Sequence, residues 1–243
     1  MAERRAVVLA GGLGTRLRPY TTVLPKPLIP VGDRPILDIV MRQLRAAGFG
    51  RVTISTGYLA ELIEAFFRDG ERYGVAIDYF REDEPLGTMG ALSMIDGLSQ
   101  SDFLVMNGDV LTDIDYGALL DRHRADGAAA TIATTKRHVQ ISLGVLRFGD
   151  PDDETKLTGY DEKPTIHYDA SMGVYCFAPR VLEHIERGRR LDFPDLVLKL
   201  IKAGETVRAW RSDDYWLDIG HHDDYETAME EFNGIKSRLI PDE

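Results

Sequence analysis

Gly11, Gly12, Gly14, Arg16 and Lys26 follow one another in AVVLAGGLGTRLRPYTTVLPKPLIPVG, directly after an apolar run. Glycine lets backbone N–H groups approach an anion with no Cβ in the way. Arginine adds a bidentate fork, and lysine a mobile point charge. Such a set suits a small phosphorylated ligand. A glycine-rich turn with solvated arginines is the plainer alternative, and spacing does not separate the two. Two common phosphate fingerprints fail here. G-x-G-x-x-G would need glycine where Leu17 stands, and a P-loop would need Gly-Lys-Ser/Thr in place of Gly14-Thr15-Arg16.

Two aspartates add a second chemistry. Asp109 closes NGD (Asn107, Gly108, Asp109) after the apolar DFLVM, where it can hold Mg²⁺ against triphosphate oxygens or simply cap the next helix. Asp218 lies in WLDIG between Leu217 and Ile219, so in extended chain it points away from both. An aspartate so flanked is paired, protonated or metal-bound, because burying it alone is costly. Two such carboxylates suffice for Mg²⁺, which takes one or two together with substrate phosphates. Glu162-Lys163-Pro164 places a lysine before proline, which favours an extended backbone projecting towards an anion. Pro85-Leu86-Gly87-Thr88 reads as a turn whose backbone could face a flat ligand, or as a helix start capped by Thr88.

Strands and helices must bring these groups together. Apolar runs at 5–10, 51–55, 76–80 and 102–106 predict strands, and helical spacing marks 35–47, 59–67, 89–98 and 116–126. On the second of these helices, Leu62, Ile63, Phe66 and Phe67 are expected on one side. That alternation predicts a doubly wound, mainly parallel α/β sheet with helices on both faces, ligands sitting at the carboxyl ends of the strands. Further strands are expected at 128–134, 143–148, 156–160 and 173–177, and helices at 179–186, 194–203 and 223–238, making the sheet mixed. The 243 residues can bury a substantial core, and 44% hydrophobic with 28% charged residues describes a globular chain. A net charge of -11 argues against nucleic-acid or anionic-membrane partners, so any anion is small and held locally. One cysteine, Cys176, allows no internal disulfide, and neither a signal peptide nor a membrane span is legible, so a cytoplasmic setting is expected.

GGLGTRLRPYTTVLPKPLIPVGDRP, EDEPLGTMGAL, NGDVL, YDEKP and WLDIGHHDDY, in this order, resemble the successive motifs of the sugar-1-phosphate nucleotidyltransferases, the NDP-sugar pyrophosphorylases. The resemblance runs from Arg5 to about Glu231 and implies a Rossmann-like, GT-A-like fold. It places Leu9, Ala10, Gly11 and Gly12 against the nucleoside, and Gly14, Thr15 and Arg16 on the β- and γ-phosphates. Lys26 falls on the α-phosphate, Lys163 on the sugar phosphate, and Asp109 and Asp218 on Mg²⁺. Pro85, Gly87, Thr88, Asn107 and Gly108 join the nucleotide site. Gly144, Glu162 and Gly173 line the sugar pocket beside Lys163 and Asp218. One catalytic domain over 1–243 is implied, with a nucleotide half to about residue 110, a sugar-phosphate half after it, and no C-terminal β-helix. The expected reaction transfers a nucleoside monophosphate from an NTP to a sugar or cyclitol 1-phosphate.

The motif style is closest to mannose- and heptose-1-phosphate guanylyltransferases. Uridylyl- and thymidylyltransferases of the shorter class tend to carry glutamine where Arg81 to Leu92 has none, so GTP is favoured over UTP and dTTP. The family often has asparagine where Ser171 stands, and serine reaches less far, which leaves the acceptor open to a cyclitol phosphate. A non-catalytic nucleotide-sugar sensor is a rival, but it would be expected to lose Lys26, Lys163, Asp109 or Asp218. A dinucleotide dehydrogenase would need Gly at 17 and an acidic residue after RVTIS. His221 and His222, adjacent and so pointing apart, read as loop residues and not as a chelating pair. Cys176 reads as a buried small residue, and 151–154 as a solvated loop. Residues 17–22 form either a flap over the nucleotide or a surface turn. A homo-oligomer is compatible with all of this.

Overall fold

The computed structural model describes residues 3–240. Its strands are β1 (Arg4–Ala10), β2 (Pro30–Val31), β3 (Arg34–Pro35), β4 (Phe49–Thr56), β5 (Ala76–Arg81), β6 (Phe103–Asn107), β7 (Val110–Thr112), β8 (Ala130–Gln140), β9 (Val145–Phe148), β10 (Leu157–Asp161), β11 (Thr165–Phe177), β12 (Val207–Ser212) and β13 (Trp216–Asp218). The helices are α1 (Ile36–Ala46), α2 (Ala60–Phe67), α3 (Gly87–Gly90), α4 (Tyr116–Asp126), α5 (Phe193–Lys202) and α6 (His222–Leu239). Seven strands form the central sheet in the order β12-β8-β11-β6-β1-β4-β5. Every neighbour in it is parallel except β11, which runs antiparallel to β6 and β8.

The central strands β1 and β6 are mainly apolar because both faces are covered. On β1, Ala6 and Val8 enter one buried cluster and Val7 the other; β6 divides Leu104 and Met106 from Phe103 and Val105 in the same way. Cys176 on β11 lies fully buried in the first cluster, as its apolar setting suggested. A third cluster forms off the sheet, where Leu17, Ile29, Val31 and Leu111 pack on Ile219, Ala228 and Phe232. It ties the opening loop to α6. Tyr20 sits 5.9 Å from the His222 ring and 5.6 Å from that of Tyr225, so residues 17–22 are anchored against that helix.

Several expected elements differ, each for a local reason. The stretch at 89–98 is only the last part of one helical turn, α3, followed by a 3₁₀ turn at Ala91–Ser93. Ser93 donates its hydroxyl to the Gly90 carbonyl (2.8 Å), a side-chain bond that competes with helix continuation. Residues 179–184 form 3₁₀ helix, not α-helix. Leu62 is exposed, and the buried side of α2 is Ala60, Ile63 and Phe67. The strands expected at 128–134 and 173–177 are parts of the longer β8 and β11, which continue past the sheet as a two-stranded arm carrying the β9–β10 hairpin between them. β12 is an edge strand whose two charges, Arg208 and Arg211, interrupt its apolar residues and hid it from a search for apolar runs.

Candidate active site

β1 and β6 end level with each other, Leu9 opposite Asn107, and their carboxyl ends open onto a cavity of about 330 Å³. Leu9, Ala10, Gly11, Gly12 and Lys26 line one side of it. Pro85, Gly87 and Thr88 form another wall, and Asn107, Gly108 and Asp109 a third. A second cavity of about 410 Å³ adjoins it, sharing Thr88, Asn107 and Asp192, and reaches Gly173, Trp216 and Asp218. Eleven of the sequence-predicted residues therefore meet in the first space, and two more stand in the second.

Asp109 does not cap a helix; that role falls to Asp115, whose carboxylate accepts the Ala118 N–H at 2.9 Å. Asp109 instead pairs with the ammonium of Lys26, whose side chain is only 10% exposed. Asp218 reaches the same place from β13, which pairs antiparallel with β7 so that Asp218 faces Val110. The Ile219 N–H donates to the Asp109 carbonyl at 3.2 Å, locking the two aspartate segments together. Asp218 is exposed by surface area yet recessed in the cleft. Loss of solvent there, first, and the Asp109 carboxylate, second, push its carboxyl above the ordinary range, against the pull of Lys26 and Arg16. The site is thus short of positive charge. Two hard carboxylate oxygens crowded beside a phosphate-sized space fit a divalent cation such as Mg²⁺. Among the described residues, no group of three or more His, Cys, Asp or Glu side chains gathers around one point.

Gly14 occupies the left-handed region (φ 59°), and its carbonyl accepts the Thr21 hydroxyl at 2.7 Å. A Cβ there would stand 2.7 Å from Thr21 Cγ2, so the loop's course needs glycine. Thr15 and Arg16 are exposed beyond it, and Arg16 approaches the Asp218–Gly220 turn. His221 caps α6 in a reciprocal arrangement with Asp224, and His222 donates its Nε2–H to the Arg18 carbonyl (2.9 Å). Both histidines are structural.

The Pro85–Thr88 turn is held from two sides. Glu82 Oε2 accepts the Leu86 N–H (2.9 Å) and Oε1 the Ser55 hydroxyl (2.9 Å). Asp192 Oδ1 accepts the Thr88 N–H (3.3 Å), while Thr88 Oγ1 accepts the Phe193 N–H (2.7 Å), so α3 and α5 cap each other. Thr88 therefore serves the start of α5, not its own helix. Gly87 (φ 72°) allows this clasp, since a Cβ would lie 2.6 Å from Asp192 Oδ1 and 2.7 Å from the Leu191 carbonyl. In the second cavity Trp216 donates its indole N–H to the Met172 carbonyl (2.7 Å), and Tyr175 stacks on Phe193 at 3.9 Å. Ser171 is turned towards Tyr175 and the Gly173 N–H. Glu82, Asp192, Phe193 and Trp216 were not singled out from the sequence. Glu82 lay hidden in the acidic run REDE, and Asp192 comes from more than a hundred residues beyond the turn it holds.

Gly144, Glu162 and Lys163 line neither cavity; they lie on the exposed arm. Tyr160 donates its hydroxyl to Glu162 Oε2 (2.9 Å) and crowds Gly144, where a Cβ would meet the Tyr160 hydroxyl oxygen at 1.9 Å. Lys163 is not extended as its place before proline predicted: its φ is 47°. The connection from β10 to β11 has only three residues, and reversing the chain in that length overrides the pre-proline preference. A lysine in this region is uncommon and is held there by its surroundings.

The chain is similar to several known proteins. The chain is 35% identical over 255 aligned positions to a UTP–glucose-1-phosphate uridylyltransferase of Synechocystis sp., a match covering 97% of this chain and 64% of the relative. It is 34% identical to a mannose-1-phosphate guanylyltransferase of Mycobacterium tuberculosis, over 90% of this chain and 62% of that one. It thus spans a little under two thirds of the length of these curated relatives. Among solved structures, HddC from Yersinia pseudotuberculosis complexed with GMP-PN superposes with a TM-score of 0.71 at 27% identity, over 94% of this chain and 99% of that one. The Nucleotidyl transferase family itself matches residues 5–233, nearly the whole sequence, and the chain belongs to that family.

Proposed function

We propose that this protein transfers a nucleoside monophosphate from an NTP, with GTP favoured, to a sugar or cyclitol 1-phosphate, forming an NDP-sugar and releasing pyrophosphate. The observation that carries the proposal is the convergence of Lys26, Asp109 and Asp218 where the two cavities join. One cavity then takes the nucleotide and the other the acceptor, with the reacting phosphates between them. Guanine is favoured by the PLGT turn and by the likeness to guanylyltransferases and to a structure complexed with GMP-PN. The uridylyltransferase relative makes UTP the rival donor.

An oxygen of the acceptor phosphate attacks the α-phosphorus, and the bond from that phosphorus to the bridging oxygen of pyrophosphate breaks. The nucleophile is already an anion, so no general base is needed; the protein has to align like charges and neutralise them. Leu9 to Gly12 bind the nucleoside, with Pro85, Gly87 and Thr88 against its base. Gly14, Thr15 and Arg16 bind the departing β- and γ-phosphates. Mg²⁺ bound by Asp109 and Asp218 would supply further charge neutralisation on the phosphates. Lys26, recessed beside Asp109, faces the α-phosphate. Lys163 meets the acceptor phosphate, and Glu162, Gly144 and Gly173 its sugar, which requires the exposed arm to close over the second cavity. Trp216 and the Tyr175–Phe193 stack offer that sugar an apolar floor.

Pyrophosphate release by the purified protein with Mg²⁺, crossing GTP, ATP, UTP, CTP and dTTP with sugar and cyclitol 1-phosphates, tests this directly. GTP with one acceptor is expected to give release. UTP or dTTP in its place would keep the reaction and overturn the base. Tight nucleotide binding with no release from any pair would favour a sensor.

A further inference from the structure

Among the described residues, half of the exposed large apolar side chains fall between Val139 and Tyr168, on the arm. On the β9–β10 hairpin they share one side. Leu146 and Phe148 are two residues apart on β9, so they face the same way. Leu157 stands opposite Phe148, and Tyr160 opposite Leu146. An extra residue between Leu157 and Gly159 shifts the register; without it Leu157 and Tyr160, three apart, would point to opposite sides. Arg147 lies opposite Gly159 and Asp161 opposite Val145, so this ion pair occupies the other side.

The hairpin forms a two-stranded sheet of its own. Two strands alone are marginally stable in water and need a cover for their apolar side. Leu146, Phe148, Leu157 and Tyr160 are 46–61% exposed, so no described element of the same chain supplies that cover. Leu143 precedes the hairpin, and Val139, Ile166 and Tyr168 make a second apolar patch on the β8–β11 ribbon, Val139 directly opposite Ile166. Half-exposed side chains of this size show on the order of 100 Å² each, which brings the arm close to the ~800 Å² that each partner of a stable interface buries. A patch of that extent marks an interaction surface.

Charge narrows the choice of partner. A net charge of -11 holds copies of this chain apart wherever their acidic surfaces meet. The hairpin's apolar side carries no charge, and behind it Arg147 offsets Asp161. It therefore neither repels its own copy nor offers a charged partner a counter-charge. We propose that the protein pairs with a second copy of itself through this arm, the apolar side of one hairpin lying against the same side of the other about a two-fold axis. This pairing is independent of the reaction proposed above.

Sedimentation equilibrium of the purified protein without nucleotide, from about 1 to 100 µM, tests it. Wild type is expected at twice the chain mass. Phe148→Asp, with an unchanged circular-dichroism spectrum, should raise the dimer Kd at least about a hundredfold, because it buries a charge at the contact. Ile201→Asp serves as the control, since Ile201 and Leu198 are exposed on α5 and away from the arm; it should stay paired. Wild type at the mass of one chain throughout overturns the proposal. So does a dimer that Ile201→Asp splits and Phe148→Asp leaves whole, which would put the contact on α5. Should Phe148→Asp not fold, Leu157→Ala adds no charge and should still weaken pairing about tenfold; an unchanged Kd there overturns the role of the hairpin.

Discussion

The two sides of the cleft are built differently. On the nucleotide side, Lys26 is buried and ion-paired, Glu82 accepts two hydrogen bonds, and Thr88 and Asp192 cap each other's helices. On the acceptor side, Gly144, Glu162 and Lys163 ride on an exposed arm where Leu143, Phe148, Leu157 and Tyr160 all show more than half their surface. Part of a site held by buried hydrogen bonds is preorganised, whereas part held on a projecting arm must be brought to the reaction. Binding in this protein is thus expected to be ordered, with nucleotide bound by a finished surface and acceptor by one that closes.

Disabling the reaction centre should give the largest effect. Asp109→Asn is expected to lower kcat/KM by roughly 10³-fold while unfolding near the wild-type temperature, because a carboxylate that would position the cation is lost and packing is not. Steady-state kinetics beside a melting curve would show both; wild-type turnover would remove Asp109 from the site. Lys163→Ala should come next, raising the acceptor KM by about 30-fold with little change in the KM for nucleotide, since only the moving side loses a charge. Equal rises in both KM values would erase the distinction between the two sides.

Gly87→Ala probes the rigid side. Its Cβ would collide with Asp192 Oδ1 and the Leu191 carbonyl at a positive φ, so a loss of about 2 kcal/mol in denaturant unfolding and weaker nucleotide binding are expected. A variant as stable as wild type would mean that the α3–α5 clasp gives way easily.

The smallest effect lies outside the cleft, at His123. Burial, foremost, lowers its pKa below 6.5, and its Nε2 has no hydrogen-bond partner among the described residues while Nδ1 meets Thr131 Oγ1 at 2.8 Å. The unfolded chain then binds a proton that the folded chain resists, so stability present above about pH 6.5 declines as pH falls below it. Urea unfolding between about pH 5 and 8 should show this slope, and His123→Leu should flatten it. An unchanged slope in the variant would assign the decline to other groups.

Legibility in the sequence followed the same division. The glycine loop, NGD and PLGT are contiguous, so residue type and order disclosed them, and apolar runs disclosed the strands that present them. What stayed hidden depends on distance along the chain or on competing local forces. Asp192 and Trp216 become site residues only when α5 and β13 fold back across the sheet. β12 carries Arg208 and Arg211 at an edge, where only one neighbour enforces apolarity. Lys163 was misread because proline's local preference was weighed without the three-residue reversal that overrides it. For Asp218 the flanking apolar residues left three readings, paired, protonated or metal-bound; the structure places its carboxylate within reach of the Asp109 charge and raises its pKa, without choosing among them.

The most direct test of the division is calorimetric binding of GTP with Mg²⁺, in the absence of acceptor, to wild type, Lys26→Ala and Lys163→Ala. A nucleotide site complete in itself predicts that Lys163→Ala binds GTP within about twofold of wild type while Lys26→Ala binds at least about tenfold more weakly. Equal weakening in the two variants would contradict it, and would mean that the arm already forms part of the nucleotide site before any acceptor arrives.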